Sequence, residues 1–550
     1  MRGSVPRFSV IVPVYRTDLA FLTAAVDSVR GQHFEDWELV IADDASGDEL
    51  LATVLVAIEK SDDRIRVVRR TTNGGISAAS NSALEAATGE FVALLDHDDL
   101  LTPDALEAMS AAIDADPDAD YLYSDEEKMF TGPGEDLHFF DAFRRPEWSP
   151  ERLRGQMYAG HLSVLRRSLV TEVGGFDHRF DGSQDHDLVL RVTERARRIV
   201  HVPRILYRWR VSENSTAASP DAKSYTWDAG VAAVDAHLSR VGIQGRAERG
   251  PLPNTVRIRR ALPSDLRVSV VIPTNGSSGV VHGRRRVFVV EAVRSLLARA
   301  GHDDLELVVV WDTGMDERVL EELRGIAGER LVLVEYTQPF NFSDKCNVGF
   351  LESTGGIVVM LNDDVEIIAE DFLVELCAPL VEPDVGMTGA LTYYEDGTIQ
   401  HAGHRYADET WGHTGHGADP SSTGHMGALV VNREAVGVTA ACAAIRREVF
   451  AEVGAFTTEL PGNFNDVDLS NKIRRAGYRI LWLPAARLWH FESRTRVPRV
   501  HAWEVRVILD RWGLPGRDPY QAEPSVYGPI GPDDPLARPH VLWPFHTPGL

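Results

Sequence analysis

The chain has little cysteine, no long apolar run and too few basic residues to balance its acids, and each shortage excludes a class of protein. Its three cysteines, Cys346, Cys377 and Cys442, lie too far apart for a zinc site or a disulfide framework, which fits a reducing cytoplasm. No segment has the apolar length of a signal peptide or membrane span, so we expect a cytoplasmic protein and leave open peripheral docking at the inner face of the membrane. With 57 Lys and Arg against 82 Asp and Glu, the net charge of -25 argues against nucleic-acid binding, which depends on basic side chains.

Two glycine-rich nucleotide-binding motifs are also absent. The first strand-like run ends at Pro13-Val-Tyr15, and a similar run ends at Pro273-Thr-Asn275. Neither end carries the G-x-G-x-x-G of a dinucleotide site, and G-x-x-x-x-G-K-[ST] occurs nowhere in the chain. These absences count against a dehydrogenase and against a P-loop nucleotide hydrolase.

What the sequence does contain is an internal repeat, which indicates a duplicated unit. Each copy begins with a strand-like run, continues to an acidic cluster and then reaches an acidic pair. The intervals are longer in the second copy, which has therefore gained loops. The matched segments are Ser9 to Pro13 with Ser269 to Pro273, Thr88 to Asp98 with Thr354 to Asp364, and Gln184 to Leu188 with Asn465 to Leu469.

Within each copy, short apolar runs alternate with helical patterns. This alternation implies βαβ units, and therefore an α/β fold with a mostly parallel sheet covered on both faces. In the first copy the pattern predicts strands at Val10 to Val14, Leu39 to Ala42, Ile65 to Val68 and Phe91 to Leu95, and helices at Leu19 to Arg30 and Ile76 to Ala87. The predicted domains are 1–216 and 266–497, joined by a helical linker over 217–265 and followed by a helix and a proline-rich tail over 498–550.

Carboxylates follow the fourth predicted strand of each copy. Asp96 and Asp98 occupy this place in the first copy, and Asn362, Asp363 and Asp364 occupy it in the second. Clustered carboxylates repel one another, and oxygen ligands of this kind suit Mg²⁺ or Mn²⁺ bound together with substrate phosphates. The alternative is a turn that precedes a helix, but recurrence in both copies favours the metal interpretation.

A second pair of acidic residues enters a helical pattern further along each copy. We interpret Asp187 and Asp468 as helix caps, because a carboxylate at a helix N-terminus complements the helix dipole. We predict that Asp185 and Asp466 are general bases, each of which accepts a proton from an attacking hydroxyl.

These motifs resemble those of the family 2 inverting glycosyltransferases, which have the GT-A fold, and the resemblance covers most of both copies. It implies tandem GT-A domains, a UDP- or dTDP-sugar donor and an Mn²⁺ or Mg²⁺ ion. The motifs that carry it include Asn73 to Ser77, Asp96 to Asp98, Gln184-Asp185, Asn362 to Asp364, Asn465-Asp466 and Trp489 to Ser493. The implied donor-binding residues are Pro13, Tyr15, Asp43, Asp44, Asn73, Asn81, Asp96, Pro273, Thr274, Asp312, Lys345, Asn347, Asn362 and Asp363. The implied metal ligands are Asp98, Asp364 and His490, and the implied bases are Asp185 and Asp466.

Five histidines of the second copy are close together in sequence. A zinc site is one interpretation, but no cysteine or carboxylate pair completes a tetrahedron, so we prefer neutral histidines that line a sugar groove. We place His401 in this groove together with Trp411, whose ring either stacks on a sugar face or belongs to the core. The five histidines are His401, His404, His413, His416 and His425.

We therefore predict a bifunctional glycosyltransferase of the bacterial cell envelope. It would transfer sugars from dTDP-rhamnose or a UDP-hexose to a glycan or polyprenyl-linked acceptor with inversion. Two alternatives stay open: one copy is only a carbohydrate-binding or scaffold module, or the chain is a sugar nucleotidyltransferase. Two departures from the family pattern bear on the first alternative, namely Ser212 where relatives often carry histidine and a lone Asp312 where they often carry two acids.

Overall fold

The computed structural model describes residues 5–131, 137–211, 224–407, 410–491 and 500–521, and the statements below concern these residues. They form two large mixed sheets, each flanked by helices, with a helix and a hairpin between them. The predicted fold class, two tandem α/β domains, is confirmed. Within the described residues, no helix combines the length and apolar character that crossing a bilayer requires.

The first half is built on one sheet. Its strands are β1 (Phe8–Val14), β2 (Trp37–Asp43), β3 (Ile65–Arg69), β4 (Phe91–Leu94), β5 (Leu100–Leu101), β6 (Ala119–Thr131), β7 (Leu137–Phe143), β8 (Ser163–Arg166) and β9 (Arg198–Arg210). Its helices are α1 (Leu19–Arg30), α2 (Glu49–Ser61), α3 (Ile76–Ala86), α4 (Ala105–Ala115), α5 (Pro150–Gly155), α6 (Arg167–Glu172) and α7 (Gln184–Thr193).

A helix and a hairpin connect the halves, and the second half repeats the plan of the first. The connecting elements are α8 (Ser224–Val241), β10 (Gly245–Arg249) and β11 (Val256–Arg260). The strands of the second half are β12 (Val268–Thr274), β13 (Ser278–Val281), β14 (Arg284–Val287), β15 (Leu305–Asp312), β16 (Leu331–Tyr336), β17 (Ile357–Leu361), β18 (Val365–Ile367), β19 (Val385–Tyr393), β20 (Ile399–His401), β21 (His404–Ala407), β22 (Thr410–His413), β23 (Arg433–Glu434), β24 (Cys442–Arg446) and β25 (Arg479–His490). Its helices are α9 (Phe288–Arg299), α10 (Glu317–Ala327), α11 (Phe342–Glu352), α12 (Phe372–Cys377), α13 (Arg447–Glu452), α14 (Asn465–Arg475) and α15 (Ala502–Trp512).

The strands predicted from the apolar runs form the parallel part of each sheet. In the first half β1 pairs in parallel with β2 and β4, and β2 pairs in parallel with β3. Val10 and Val12 pack on one face of this sheet and Ile11 packs on the other, as expected for a strand covered by helices on both sides. Beyond β4 the strands are mixed in direction, since β8 runs antiparallel to β4 and β6. The sheet is thus less uniformly parallel than the sequence pattern predicts.

A Ser-Glu-Thr-Gly contact holds the beginning of the parallel strands together. The hydroxyl of Ser9 donates to Glu38 Oε1 over 2.6 Å and accepts from the N–H of Gly89 over 2.8 Å. Thr88 Oγ1 donates to the same carboxylate over 2.9 Å. A Cβ at Gly89 would lie 2.7 Å from the backbone nitrogen of Ser9, so only glycine allows this approach. The second half repeats the contact with Ser269, Glu306, Thr354 and Gly355.

A buried ion network joins the two halves. Glu151 on α5 is fully buried and accepts two hydrogen bonds from Arg260 on β11, over 2.8 and 2.6 Å. Arg260 and Arg154 both donate to Glu382 of the second half over 2.8 Å. Arg479 donates over 2.8 Å to Glu434, whose other oxygen accepts from Ser149 of the first half. Because an ion removed from water is stable only with its partners in place, this network fixes how the halves sit against each other.

Replacing one acid of the network should destabilise the whole chain. Glu151→Gln keeps the size of the side chain but leaves buried guanidinium groups without their counter-charge, which costs about 3–5 kcal/mol in comparable cases. We expect a clearly lower midpoint of thermal unfolding than for the unchanged chain.

The matched control is Glu172→Gln, which removes an exposed ion pair with Arg195 and should change stability by at most about 0.5 kcal/mol. Equal midpoints for the two variants would show that the network does not hold the halves together.

Candidate functional site

In the second half, the predicted site residues surround one cavity of about 950 Å³. It opens where the parallel strands end, because the carboxyl ends of these strands meet at the same edge of the sheet. The predicted residues that line it are Pro273, Thr274, Asp312, Lys345, Asn362, Asp363, Asp364, Trp411, Asp466 and His490. Asn347 and His401 are not among the lining residues.

One wall of this cavity is a chain of polar contacts between strand ends. The buried Lys345 donates from Nζ to Thr274 O and to Asp312 Oδ1, both over 2.8 Å. The hydroxyl of Thr274 donates to Asp363 Oδ2 over 2.7 Å. Burial and the neighbouring Asp364 raise the pKa of Asp363 to about 7. Lys345 therefore ties α11 to two strand ends and brings a positive charge to this wall.

His490, Asp364 and Asn362 converge on the same side of the cavity in a way that suits a divalent cation. Gln400 Oε1 lies 2.7 Å from His490 Nδ1 and can only accept, so that nitrogen carries the proton and Nε2 keeps its lone pair. His490 Nε2 lies 3.3 Å from Asp364 Oδ1 and 3.1 Å from the Asn362 amide. The buried Asn362 Oδ1 lacks a hydrogen-bond partner. An imidazole oriented through its second nitrogen, beside a carboxylate and an unpaired amide oxygen, fits a metal site.

Asp466 lies in the first turn of α14 and lines the same cavity, and its environment keeps it ionised. Its Oδ1 accepts the N–H of Val467 over 2.9 Å, and its Oδ2 lies 3.6 Å from His404 Nε2. Burial raises the pKa of Asp466, but the His404 ring and the Val467 N–H outweigh burial and lower the pKa to about 2. A carboxylate in this state can accept a proton at neutral pH.

In the first half, Asp96, Asp98 and Asp185 share one electrostatic environment. Burial raises the pKa of Asp96 and the charges of Asp98 and Asp185 add to this effect, although the His161 ring opposes it. His161 Nε2 lies 3.8 Å from Asp96 Oδ2, and His97 Nδ1 lies 3.3 Å from Asp98 Oδ1. Burial also raises the pKa of Asp98, but the His97 contact outweighs it and the pKa is lowered. The predicted base Asp185 is therefore close enough to Asp96 to influence its pKa.

The last strand of the first half ends differently from that of the second half. β9 ends at Arg210, which donates from Nε to Asp98 O over 2.7 Å, whereas β25 ends at His490. Ser212, which stands where relatives often carry a histidine, lies outside the described residues. His161 is the imidazole nearest to Asp96 and comes from the loop before β8, so sequence alignment of the two copies does not reveal it.

Asp44 has a different role from the donor contact that the sequence predicts. Its buried carboxylate accepts from Arg70 Nε over 2.7 Å and from the N–H groups of Gly74 and Gly75 over 3.0 and 2.8 Å. Asn73 Nδ2 donates to its carbonyl oxygen over 3.2 Å. With its oxygens occupied, Asp44 shapes the loop between β3 and α3 and has little capacity left for a nucleotide.

The other predicted donor residues of this edge remain accessible. Asp43 is half-buried and accepts from the hydroxyl of Ser46 over 2.5 Å, and Tyr15 is exposed at the end of β1 beside Pro13. Asp43, rather than Asp44, is therefore the acidic residue of this edge that is open to a ligand.

The two predicted donor-binding asparagines are structural. Asn81 donates to Phe176 O over 2.8 Å and accepts from Phe176 N over 2.8 Å. Asn347 makes the same pair of bonds with Phe456, over 2.9 and 3.0 Å. These bonds join α3 to the loop before α7 and α11 to the loop before α14, and a contact of either amide with a donor stays a prediction.

Asp187 and Asp468 are also not the helix caps that the sequence predicts. The residues at the cap positions of α7 and α14 are Ser183 and Phe464. Asp187 is fully buried and pairs with Arg191, with 2.9 Å between Oδ2 and Nε. Asp468 is fully buried as well and accepts from Thr457, Arg511 and Trp512. Both carboxylates therefore stabilise the fold behind the site.

Three of the five clustered histidines have nitrogen atoms within 4.8 Å of one another: His401, His404 and His413. Trp411 packs against Phe464 with 5.6 Å between ring centroids, and its exposed side lines the cavity. The tryptophan thus belongs to a small core and to the cavity wall at once. Gln400, which orients His490, was not identified from the sequence because its signal is a contact across two strands.

Comparison with known proteins assigns both halves to one family. Residues 9–174 match the family described as "Glycosyl transferase family 2", and residues 266–512 match "Glycosyltransferase like family 2". The Sinorhizobium fredii protein y4gI, described as uncharacterized, is 41% identical over 499 residues, which are 89% of this chain and 54% of that protein. The O-antigen biosynthesis protein RfbC of Myxococcus xanthus is 31% identical over 521 residues, 94% of this chain and 40% of its own. The chain thus spans about half the length of these relatives or less.

A solved structure, that of S. aureus TarS 1-349 in complex with UDP-GlcNAc, aligns over 42% of this chain and 73% of its own, with 22% identity and a TM-score of 0.33. The two family matches lie in tandem, cover more than half of the chain and end the second copy just after its last helix. This chain belongs to glycosyltransferase family 2 and carries two successive domains of that family.

Proposed function

We propose that the chain is a bifunctional, inverting glycosyltransferase whose two halves each transfer a sugar from a UDP- or dTDP-activated donor. The observation that carries the proposal is the cavity in which Asp466 faces Asp364 and His490. A base and a diphosphate site in one cavity are what direct displacement at an anomeric carbon needs. The shared environment of Asp185 and Asp96 supports the same arrangement in the first half.

The residues of the chain have separate tasks in this reaction. Asp466 accepts the proton of the attacking hydroxyl, and Asp185 does so in the first half. Lys345 lines the same cavity as Asp466 and would bring its buried positive charge to the donor diphosphate. Asp43 is the residue we propose for the pyrimidine base, since it accepts hydrogen bonds and remains open at the end of β2.

Asp364, His490 and Asn362 would hold Mn²⁺ or Mg²⁺ in the second half, and Asp98 with Asp96 would hold it in the first. A bound divalent cation neutralises negative charge on the leaving diphosphate. Gln400 fixes the tautomer of His490 that such a cation requires. In the first half β9 ends at Arg210, where β25 ends at His490 in the second half. The positive charge of Arg210 would replace part of the metal coordination that His490 provides.

For the biological setting, we propose assembly of a cell-envelope polysaccharide on a glycan or polyprenyl-linked acceptor. The similarity to an O-antigen biosynthesis protein supports this setting, with the transfer at the inner face of the membrane. Membership of a glycosyltransferase family argues against the nucleotidyltransferase alternative. The scaffold alternative for one half is decided by the first of the following experiments.

Each base should be needed for one transfer only. Asp185→Asn and Asp466→Asn remove the proton acceptor but keep the shape of the side chain, so each should lower one transfer by about 10²-fold or more. The measurement is release of UDP or dTDP from a panel of sugar nucleotides with Mn²⁺, in the full chain and in the two variants.

The control is Asp265→Asn, which changes an exposed acid of the connector, and all variants should unfold at similar temperatures. If only one of the two base variants loses activity, the other half is a scaffold. If neither loses activity, the proposed bases are wrong.

Each half should bind one divalent cation. Mn²⁺ binding in the presence of UDP, followed by the electron paramagnetic resonance signal of free Mn²⁺, should show two ions per chain. Asp98→Asn and Asp364→Asn each remove a charged ligand and should each reduce this number to one. Two ions still bound to either variant at the same affinity would contradict the assignment, and Asp265→Asn again serves as control.

His404 should set the acidic limit of activity in the second half. The pKa of Asp466 is lowered to about 2, so the base stays ionised above that pH and should not limit the rate between pH 5 and 8. In His404→Leu the contact that lowers this pKa is lost while burial still raises it, so kcat/KM should begin to fall at a higher pH. The profile is measured in the Asp185→Asn chain, with His416→Leu as control, and identical profiles would show that His404 does not act on Asp466.

A further inference from the structure

Two of the three clustered histidines belong to a hairpin that has no counterpart among the described residues of the first half. Between β19 and β24 the second half has β20, which pairs with β19 as β7 pairs with β6, and the added hairpin of β21 and β22. His401 ends β20, whereas His404 and His413 lie on the hairpin. In the first half, β7 and α5 stand between the corresponding strands β6 and β8. The hairpin brings His404 and His413 to the cavity that Asp466 also lines, and His401 lies behind them.

Hydrogen bonds within the cluster have a definite direction. The N–H of Thr439 lies 3.1 Å from His401 Nε2, and a backbone N–H can only donate, so His401 carries its proton on Nδ1. His401 Nδ1 lies 3.0 Å from His413 Nδ1 and donates to it. His413 must then keep its own proton on Nε2. The chain from Thr439 through His401 thus selects one tautomer of His413.

Both hydrogen-bonded histidines, His401 and His413, are neutral at physiological pH. Burial and the nearby His413 and His404 rings lower the pKa of His401 well below its ordinary range. Burial and the His404 ring lower the pKa of His413 to about 4. His401 is fully buried, whereas the His413 ring packs against His401 and His404 and keeps a solvent-accessible part on the cavity wall. His413 Nε2–H is therefore a neutral hydrogen-bond donor on the cavity wall, and its proton position is fixed.

The direction of these hydrogen bonds also argues against a metal ion bound by His401, His404 and His413. A metal bound at His401 Nδ1 would move its proton to Nε2, where the N–H of Thr439 already points. Two donors would then face each other at a fully buried position, which is unfavourable. The contacts therefore support a series of hydrogen bonds from Thr439 through His401 to His413, and not a metal site.

We propose that His413 is the residue that binds the acceptor sugar in the second half, through its Nε2–H, to an oxygen next to the hydroxyl that Asp466 deprotonates. The inference rests on the proposed function of this cavity. His404 lies between Asp466 and His413. Its Nε2 lies 3.6 Å from Asp466 Oδ2, and one of its ring nitrogens lies within 4.8 Å of a ring nitrogen of His413. The acceptor class is a sugar with two neighbouring oxygens, of which one is the nucleophile. His401 is a positioning residue that acts through His413.

The experiment uses the full chain with Asp185→Asn, so that only the second half transfers. Release of UDP or dTDP is measured with Mn²⁺ and a panel of methyl hexosides as probe acceptors. His413→Phe removes the donor and should raise the acceptor KM by about tenfold or more, because a site built to hydrogen-bond a hydroxyl is weakened when one partner is lost. The donor KM and the acceptor-independent hydrolysis should change by less than about threefold.

Three further variants distinguish the donor from a merely structural residue. His413→Gln retains an N–H and should recover most of the acceptor affinity. His401→Leu breaks the chain and should raise the acceptor KM in the same direction as His413→Phe. His33→Phe changes a largely exposed histidine of the first half that does not line this cavity, and it should leave the acceptor KM nearly unchanged.

A second measurement tests the proton positions without any acceptor. In the ¹⁵N-histidine-labelled full chain, long-range nitrogen–proton spectra should show His401 with an Nδ1 proton and His413 with an Nε2 proton, and His401→Leu should abolish this preference. The inference is overturned if His413 carries its proton on Nδ1, if no methyl hexoside stimulates release, if His413→Phe leaves the acceptor KM unchanged, or if dialysed protein retains one zinc that His401→Leu removes. Absence of any nucleotide release, with or without acceptor, would instead refute the proposed function and the inference with it.

Discussion

Glu151 is sealed from solvent between the two halves, and its charge is stable only because guanidinium groups from three segments of the chain surround it. Burial raises the pKa of this carboxyl, but Arg260 and Arg154 outweigh burial and hold it below its usual range. Turning one half relative to the other would leave some of these ions buried without partners, at a cost of several kcal/mol. The two sheets therefore behave as one body, and the edges that carry the acidic residues keep a fixed relation.

Local patterns in the sequence were sufficient for the elements that build each sheet. The predicted helix over Leu19 to Arg30 has the bounds of α1, because Asp18 accepts from the N–H groups of Ala20 and Phe21 and its apolar residues recur on one face. The acidic residues after β4 and β17 were placed correctly at the sheet edge for a similar reason. In parallel sheets the strand ends share one edge, so position along the chain predicts position in space.

The sequence failed wherever the role of a residue depends on a distant partner. Asn81 resembles a ligand-binding residue, but its amide is used by the backbone of Phe176, far along the chain. Asp44 reads as a nucleotide contact until Arg70 and the glycine loop are seen around it. Glu151 looks like an ordinary surface acid in the sequence, because nothing local shows that Arg260 will cover it. A sequence shows which side chains are charged, whereas the tertiary fold decides which partner each charged side chain contacts.

The two halves are alike in the parallel strands of their sheets and differ in the elements that follow these strands. The contact at the beginning of the parallel strands and the asparagine bridge recur with the same atoms, so the parallel part of each sheet has been kept. The elements after it differ: one half has a loop with His161, and the other adds the hairpin of β21 and β22. Loops on a fixed scaffold change more readily than the scaffold itself, and they usually carry specificity. Under the function proposed above, a duplicated enzyme that kept its parallel strands and changed the elements beyond them would gain a second linkage without a second mechanism. Such a chain would suit a polymer whose repeating unit contains two different bonds.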